Sequence, residues 1–288
     1  MPYLYLISTV FLQSALSVLS AFYNKKNAGK KDISQFYSFL LLTSVFSAWA
    51  VMFLIDGEVN IAVLPYALLF AVGFTAAMVM MVLALKSGPV VLTTLILQLS
   101  LIGVTVWGFF FWGDSFTPLV GIGLILVAIS LWLCLYTGKG KGKKISFKWL
   151  IFVSLMFLGN ACCTIAQKTQ QLHFDGKYGN FTMLIATGIS ALVSLLLYVR
   201  SDRRDSKLLI RTSWYYPVSA GVLNALVNLF IMLLATSDLS PSLIYPVISV
   251  GALAVTTVFS VFAFKEKMRP WQWIGVGVGA AAVAFLSV

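Results

Sequence analysis

Residues 59–85 read VNIAVLPYALLFAVGFTAAMVMMVLAL, 27 residues without one Asp, Glu, Lys, Arg or His. A helix of about 20 residues, rising 1.5 Å per residue, crosses the hydrocarbon core of a bilayer. This stretch therefore predicts a membrane-spanning helix, and the same reading repeats along the chain. The 20 basic and 9 acidic residues leave charge-free stretches at 1–24, 33–55, 59–85, 87–113, 115–138, 149–167, 178–199, 212–237, 239–264 and 270–288. We number these spans 1 to 10. The expected fold class is an all-α membrane protein with ten transmembrane helices. The first stretch begins Met1-Pro2-Tyr3 with no positive n-region, so it reads as a span and not as a cleaved signal.

Composition agrees. Of the 288 residues 60% are hydrophobic and 10% charged, with mean hydropathy +0.96. A soluble domain carries about 25% charged residues. A soluble enzyme, a nucleic-acid-binding domain and a disordered chain are excluded on that ground. The net charge of +11 lies scattered between apolar runs, so nucleic acid is not an expected partner. Cys162 and Cys163 are adjacent inside span 6, project about 100° apart on a helix, and read as packing residues.

The basic residues are one-sided. Loops 1, 3, 5, 7 and 9 carry nearly all of them, from Lys25 and Lys26 to Lys265, Lys267 and Arg269; the even loops hold only Lys168 and Lys177. The positive-inside rule places the odd loops in the cytoplasm and both termini outside. The expected location is a cell membrane, crossed many times, with the bilayer as solvent and no oligomer required.

Shifting the chain on itself by 152 residues aligns spans 4–5 with spans 9–10 without a gap. Pro89 meets Pro241, Asp114 meets Glu266, Pro118 meets Pro270 and Gly123 meets Gly275. Each half then holds five spans, residues 1–138 and 146–288, joined by a basic linker at 139–145. Five is odd, so the second half enters the membrane inverted. Inverted halves predict a substrate site near the midplane and alternating access by rocking.

Three stretches carry a family resemblance. They are Ala84-Leu85-Lys86-Ser87-Gly88-Pro89, its parallel Leu239-Ser240-Pro241, and the ending Phe264-Lys265-Glu266-Lys267-Met268-Arg269-Pro270-Trp271-Gln272-Trp273-Ile274-Gly275. On these the chain resembles the drug/metabolite transporter superfamily, in its EamA-type ten-helix branch. Lys265 stands where that signature usually has Gly. The resemblance implies two inverted five-helix repeats around a central cavity walled by spans 1, 3, 4, 6, 8 and 9. The charge count departs from the family, whose well-studied ten-helix members usually keep both ends in the cytoplasm.

No ionisable residue lies in the middle of any span. Proton-coupled carriers usually need one there, so the chain is expected to move a neutral or zwitterionic solute. The remaining polar residues form stripes. Span 1 carries Gln13, Ser17, Ser20 and Asn24; span 6 carries Asn160, Thr164, Gln167 and Gln171 at the same spacing. Asn224 and Asn228 sit four apart in span 8, Gln98 in span 4, and Tyr245 beside Pro246 in span 9. The candidate substrate-binding residues are Gln13, Ser17, Gln98, Asn160, Thr164, Asn224, Asn228 and Tyr245. The competing reading of each is interhelical hydrogen bonding, worth about 0.6 kcal/mol per bond. Lys168 reads as an interfacial snorkel, with guidance of an anion at the outer mouth as its alternative. No catalytic residue, metal ligand or cofactor is expected, because His173 is the only His and lies in a loop.

The expected function is a transporter of a small neutral or zwitterionic metabolite, working by alternating access. The alternative is a flippase for a lipid or lipid-linked head group, which needs a polar groove open to lipid. The orientation has a direct check. A reporter active only in the cytoplasm, fused after Val288, is expected to be silent; strong activity would reverse the topology.

Overall fold

Ten long α-helices fall on the ten charge-free stretches. They are α1 Pro2–Lys26, α2 Ile33–Ile55, α3 Leu64–Ser87, α4 Val90–Phe111, α5 Pro118–Leu135, α6 Phe147–His173, α7 Gly179–Val199, α9 Tyr215–Ala235, α10 Pro241–Phe264 and α11 Pro270–Leu286. This computed structural model describes residues 1–27, 30, 33–87, 90–114, 116–135, 146–202, 204–264 and 270–286; within helices it leaves out the side chains at 21, 82, 85, 86, 90–92, 94, 95, 98, 134, 135, 257, 260–264, 272, 283 and 284. The linker 139–145, Gly88, Pro89, Lys265 to Arg269 and Val288 lie outside the described residues. No strand occurs among the described residues.

The expectation of ten helices needs one correction. An eleventh, α8 Ser206–Ser213, sits between α7 and α9. Its Lys207 and Arg211 made the segment read as a charged loop. Its Leu209 is buried with Tyr23 of α1 and Phe36 of α2, while Leu208 and Ile210 are exposed. Eight residues are too few to span a bilayer.

Among the described residues, six helices are long and apolar enough to cross a membrane: α1, α2, α3, α6, α7 and α9. The described apolar stretches of α4, α5, α10 and α11 are shorter. The polarity of the bundle runs inside out. On α7, Leu192, Leu195, Leu196 and Val199 are exposed, whereas Thr187, Ser190 and Ser194 are buried. Leu54 on α2 is 82% exposed and Phe110 on α4 is 78% exposed. In water so large an apolar surface would drive aggregation. In lipid it is the stable arrangement, and the polar groups turn inward to find partners.

Local sequence sets several helix starts. Pro118, Pro241 and Pro270 are each the first residue of a helix, where the missing N–H costs nothing. Ser146 caps α6 by accepting the Trp149 N–H at 3.1 Å.

In the packing, α3 lies on α6 and α7, α1 on α9 and α10, α2 on α7 and α9, α4 on α6 and α10, and α5 on α11. Trp49, Phe70, Phe74, Met183 and Ala220 form a core shared by α2, α3, α7 and α9. The α3–α6 contact is backbone to backbone. A Cβ on Gly73 would lie 2.7 Å from the Gly159 carbonyl oxygen, and a Cβ on Gly159 would lie 2.7 Å from that of Gly73. Small residues at a crossing allow this approach, and dispersion between the backbones then holds the helices.

The glycines of α5 and α11 differ in what they meet. Gly123 meets Leu286 and Ala282, and Gly279 meets Val250 and Ser130. Gly277 faces open space and Gly121 meets only the Phe116 ring, so these two do not seat a neighbouring helix. Trp214, Trp271 and Trp273 are exposed near helix ends, as an interfacial belt requires. Trp149 is not part of it: it is buried and donates its indole N–H to the Thr93 hydroxyl at 3.0 Å.

Gly159→Ala is expected to push α6 off α3 and cost about 1–3 kcal/mol, the usual penalty of overpacking. Thermal unfolding of the purified protein measures it, and an unchanged Tm would show that the crossing is not tight.

Candidate functional site

The polar stripe of α6 is buried against α3, α4 and α9. Thr164, Gln167, Lys168, Gln170 and Gln171 are all buried, and Asn160 is half-buried. A polar face spaced at three and four residues survives in the bundle only if its groups find partners. Several do. Asn160 donates its amide to the Ser100 hydroxyl of α4 at 2.6 Å, and Thr164 donates to the Asn160 carbonyl at 3.0 Å. Gln167 donates to the Asn228 carbonyl of α9 at 3.0 Å. Asn228 donates in turn to the Asn224 side-chain oxygen at 3.1 Å.

Of the residues expected from sequence, Asn224 and Asn228 are thus joined to α6 through Gln167, Asn160 joins α6 to α4, and Thr164 bonds back within α6. Ser100 was not anticipated, because a single Ser in an apolar run carries no periodic signal. On α1, Ser17 donates to the Gln13 carbonyl at 3.0 Å, and Ser20 shares a 2.6 Å hydrogen bond with Tyr37 of α2. Gln13 is half-buried, and its side-chain amide makes no hydrogen bond among the described residues. Asn24 is exposed. Gln98 lies on α4, but its side chain is outside the described residues.

The larger surprise is Lys168. It is 5% exposed, so it does not snorkel. The reason is that α6 continues past the charge-free stretch to His173 and carries Lys168 back into the bundle. Its ammonium lies 4.8 Å from the ring centroid of Trp112, whose indole N–H faces the Thr169 hydroxyl at 3.4 Å. A cation over a Trp face is favourable by about 2 kcal/mol when desolvated, less than the several kcal/mol that burying an unpaired ion costs.

Asp114 faces this group. Gly113 has φ +72°, a left-handed turn that ends α4. The Asp114 N–H then donates to the Gly108 carbonyl at 3.3 Å. The turn folds the carboxylate over Gly108, where any side chain would collide with Oδ2. That oxygen is buried and has no hydrogen-bond partner among the described residues. Burial holds the Asp114 carboxyl above the usual carboxylate range, and the nearby charge of Lys168 acts against this. The two make no direct ion pair among the described residues. Tyr245 of α10 is 1% exposed and also lies within electrostatic range of Asp114.

The site has hydrogen-bonding and ion-binding chemistry. Among the described residues no group of three or more His, Cys, Asp or Glu could hold a metal. A separate groove of about 390 Å³, lined by Phe11, Ala254, Val255, Val258 and Phe259, is wholly apolar.

Neither a protein-family model nor a curated protein matches the chain. Solved structures do match it in fold. One, described only as "Crystal structure of protein", superposes with a TM-score of 0.73 over 99% of this chain and 95% of its own, at 14% identity. At that identity the likeness shows the fold alone.

Asp114 gives a pH prediction. Its raised native value means that the folded state binds the proton more tightly than the unfolded chain. Stability therefore falls as pH rises from about 4 through the native value. Asp114→Asn is expected to remove that slope and to raise Tm by about 1–3 °C above it. Scanning Tm against pH for both proteins measures this; identical slopes would show that the carboxyl is solvated.

Proposed function

We propose that the chain is a membrane transporter of a small neutral or zwitterionic metabolite, working by alternating access between two inverted five-helix halves. The observation that carries the reading is a polar array of amides and hydroxyls on α1, α4, α6 and α9, turned inward in a bundle whose outside is apolar. Such an array recognises a solute by hydrogen bonds and lets it leave again, because no single contact is strong.

The packing supports the inverted repeat. Exchange helices 1–5 for the second set of five, α6, α7, α9, α10 and α11, and the most extensive helix pairs map onto one another, while α5–α10, α6–α9 and α3–α4 have no matching counterpart. The pairs α1–α9 and α1–α10 become α6–α3 and α6–α4; α2–α9 becomes α7–α3. The pairs α2–α7, α4–α10 and α5–α11 map onto themselves. α8 has no counterpart and stands outside the repeat. This pairing also fits the EamA-type resemblance read from the sequence, with a cell membrane as the site of action and both termini outside it.

The solute reading is preferred to the flippase because, among the described residues, the groove between α1 and α10 is wholly apolar. It would seat an acyl tail and offers a head group nothing.

Alanine at Gln13 or at Asn160 is expected to weaken uptake by several-fold, about 1 kcal/mol per lost contact, with expression unchanged. Ser17→Trp and Thr164→Trp should each obstruct one half of the path and hold opposite-facing states. Accessibility labelling from the two sides reads this out. Protection of the same side in both variants would reduce the paired stripes to packing.

A further inference from the structure

The short helix α8 stands at one end of the bundle and is fixed there. Its buried Leu209 packs with Tyr23, Phe36, Tyr198 and Tyr216. Tyr23 and Tyr198 lie within a turn of the ends of α1 and α7, and Phe36 and Tyr216 within a turn of the starts of α2 and α9. That is the level at which the spans leave the hydrocarbon. Lys26 at the end of α1 donates to the Thr212 carbonyl at 2.7 Å, and the Ser213 hydroxyl donates to the Asn27 side-chain oxygen at 3.1 Å. Around its axis α8 is sorted by chemistry. Leu208 and Ile210 stand about 100° to either side of Leu209, and both are exposed. Lys207 and Arg211 lie one turn apart on the far face, about 200° from Leu209, and are exposed too. Neither makes an ion pair among the described residues, whereas Arg204 is met by Asp202 at 3.0 Å. Residues 200–213 hold five basic and two acidic side chains, and the exposed Trp214 follows them.

We infer that α8 is an in-plane anchor that binds anionic phospholipid in the leaflet at its end of the bundle. Lys207 and Arg211 donate charge-assisted hydrogen bonds to the headgroup phosphates. Leu208, Ile210 and Trp214 enter the boundary between headgroups and acyl chains beside them. Water alone would leave two aliphatic side chains and an indole bare. A second copy of the chain, paired about a twofold axis, would set basic face against basic face. A layer of acidic headgroups over acyl chains complements both the charge and the apolar flanks. Because α8 is bonded to α1 and packed on α2, α7 and α9, a lipid held by it stabilises the fold.

The anchor goes beyond the transport reading and does not depend on it. The purified full-length chain, in an uncharged detergent, is titrated with phosphatidylglycerol or with phosphatidylcholine of the same acyl chains while Tm is followed. Phosphatidylglycerol is expected to raise Tm by several degrees and phosphatidylcholine by much less, with the difference shrinking in about 0.5 M salt. Lys207→Gln together with Arg211→Gln should weaken the apparent affinity for phosphatidylglycerol by about tenfold or more, at about fivefold for each charge. Leu208→Gln together with Ile210→Gln should weaken it as well. Lys207→Arg together with Arg211→Lys keeps both charges and should keep the affinity, which guards against a variant that merely misfolds. Lys148→Gln, which removes an exposed charge from α6, should change nothing. Soluble glycerol phosphate, the headgroup without its tails, should give no shift. Equal shifts with the two lipids overturn the anchor. So does a phosphatidylglycerol shift that survives Lys207→Gln with Arg211→Gln, one that is lost equally on Lys148→Gln, or a shift of the same size with glycerol phosphate alone.

Discussion

Everything in this molecule follows from where its polar groups find partners. A helix satisfies its own backbone, and so ten apolar helices can present bare Leu, Ile, Val and Phe outward. Side chains have no such internal solution. Each Ser, Thr, Asn or Gln within a span must bond to its own preceding turn or to another helix. Both occur. Thr187 donates to the Met183 carbonyl one turn back at 2.6 Å, while Asn160 and Gln167 reach across to α4 and α9. The first kind costs the fold little and says little. The second kind selects which helices are neighbours.

Helix α6 is where these choices concentrate. One side of it lies so close to α3 that Gly159 meets Gly73 through the backbone. That contact anchors α6 without using polar groups, and leaves its amide stripe for α4 and α9. The same helix then runs further than the bilayer argument requires and carries Lys168 into the packed end of the bundle. A charge there is costly unless something meets it. Asp114 lies within electrostatic range of it, and the two form no ion pair among the described residues.

The opposite end of the bundle is built differently. There Tyr23, Tyr37, Tyr198 and Tyr216 gather around Leu209 of α8. Lys26 donates to the Thr212 carbonyl at 2.7 Å and to the Tyr215 hydroxyl at 2.9 Å, and the Ser213 hydroxyl donates to the Asn27 side chain at 3.1 Å. α8 thus ties the end of α1 to the start of α9 through satisfied hydrogen bonds. One end of the bundle is tied by these hydrogen bonds, although the Ser206 hydroxyl of α8 is buried without a partner among the described residues, and the other end holds the buried Lys168.

The helices could be read from the order of residues alone, because a missing charge over about 20 residues is a local property and the bilayer reads it locally. Residues 33–55, free of charge, are α2 from Ile33 to Ile55. The stripes were legible for the same reason, since spacing of three and four residues is a fact about one helix. What a stripe touches is not. That Gln167 meets Asn228, that Trp149 is sealed on Thr93, and that Ser100 belongs to the Asn160 contact all depend on how the helices pack. α8 escaped because its charges mask a helix too short for the bilayer ruler. Lys168 escaped for a deeper reason. Whether a lysine snorkels or is buried depends on how far its helix runs and on what stands beside it, here the Trp112 ring and the turn at Gly113. Those belong to a different part of the chain, and no reading of residues near position 168 contains them.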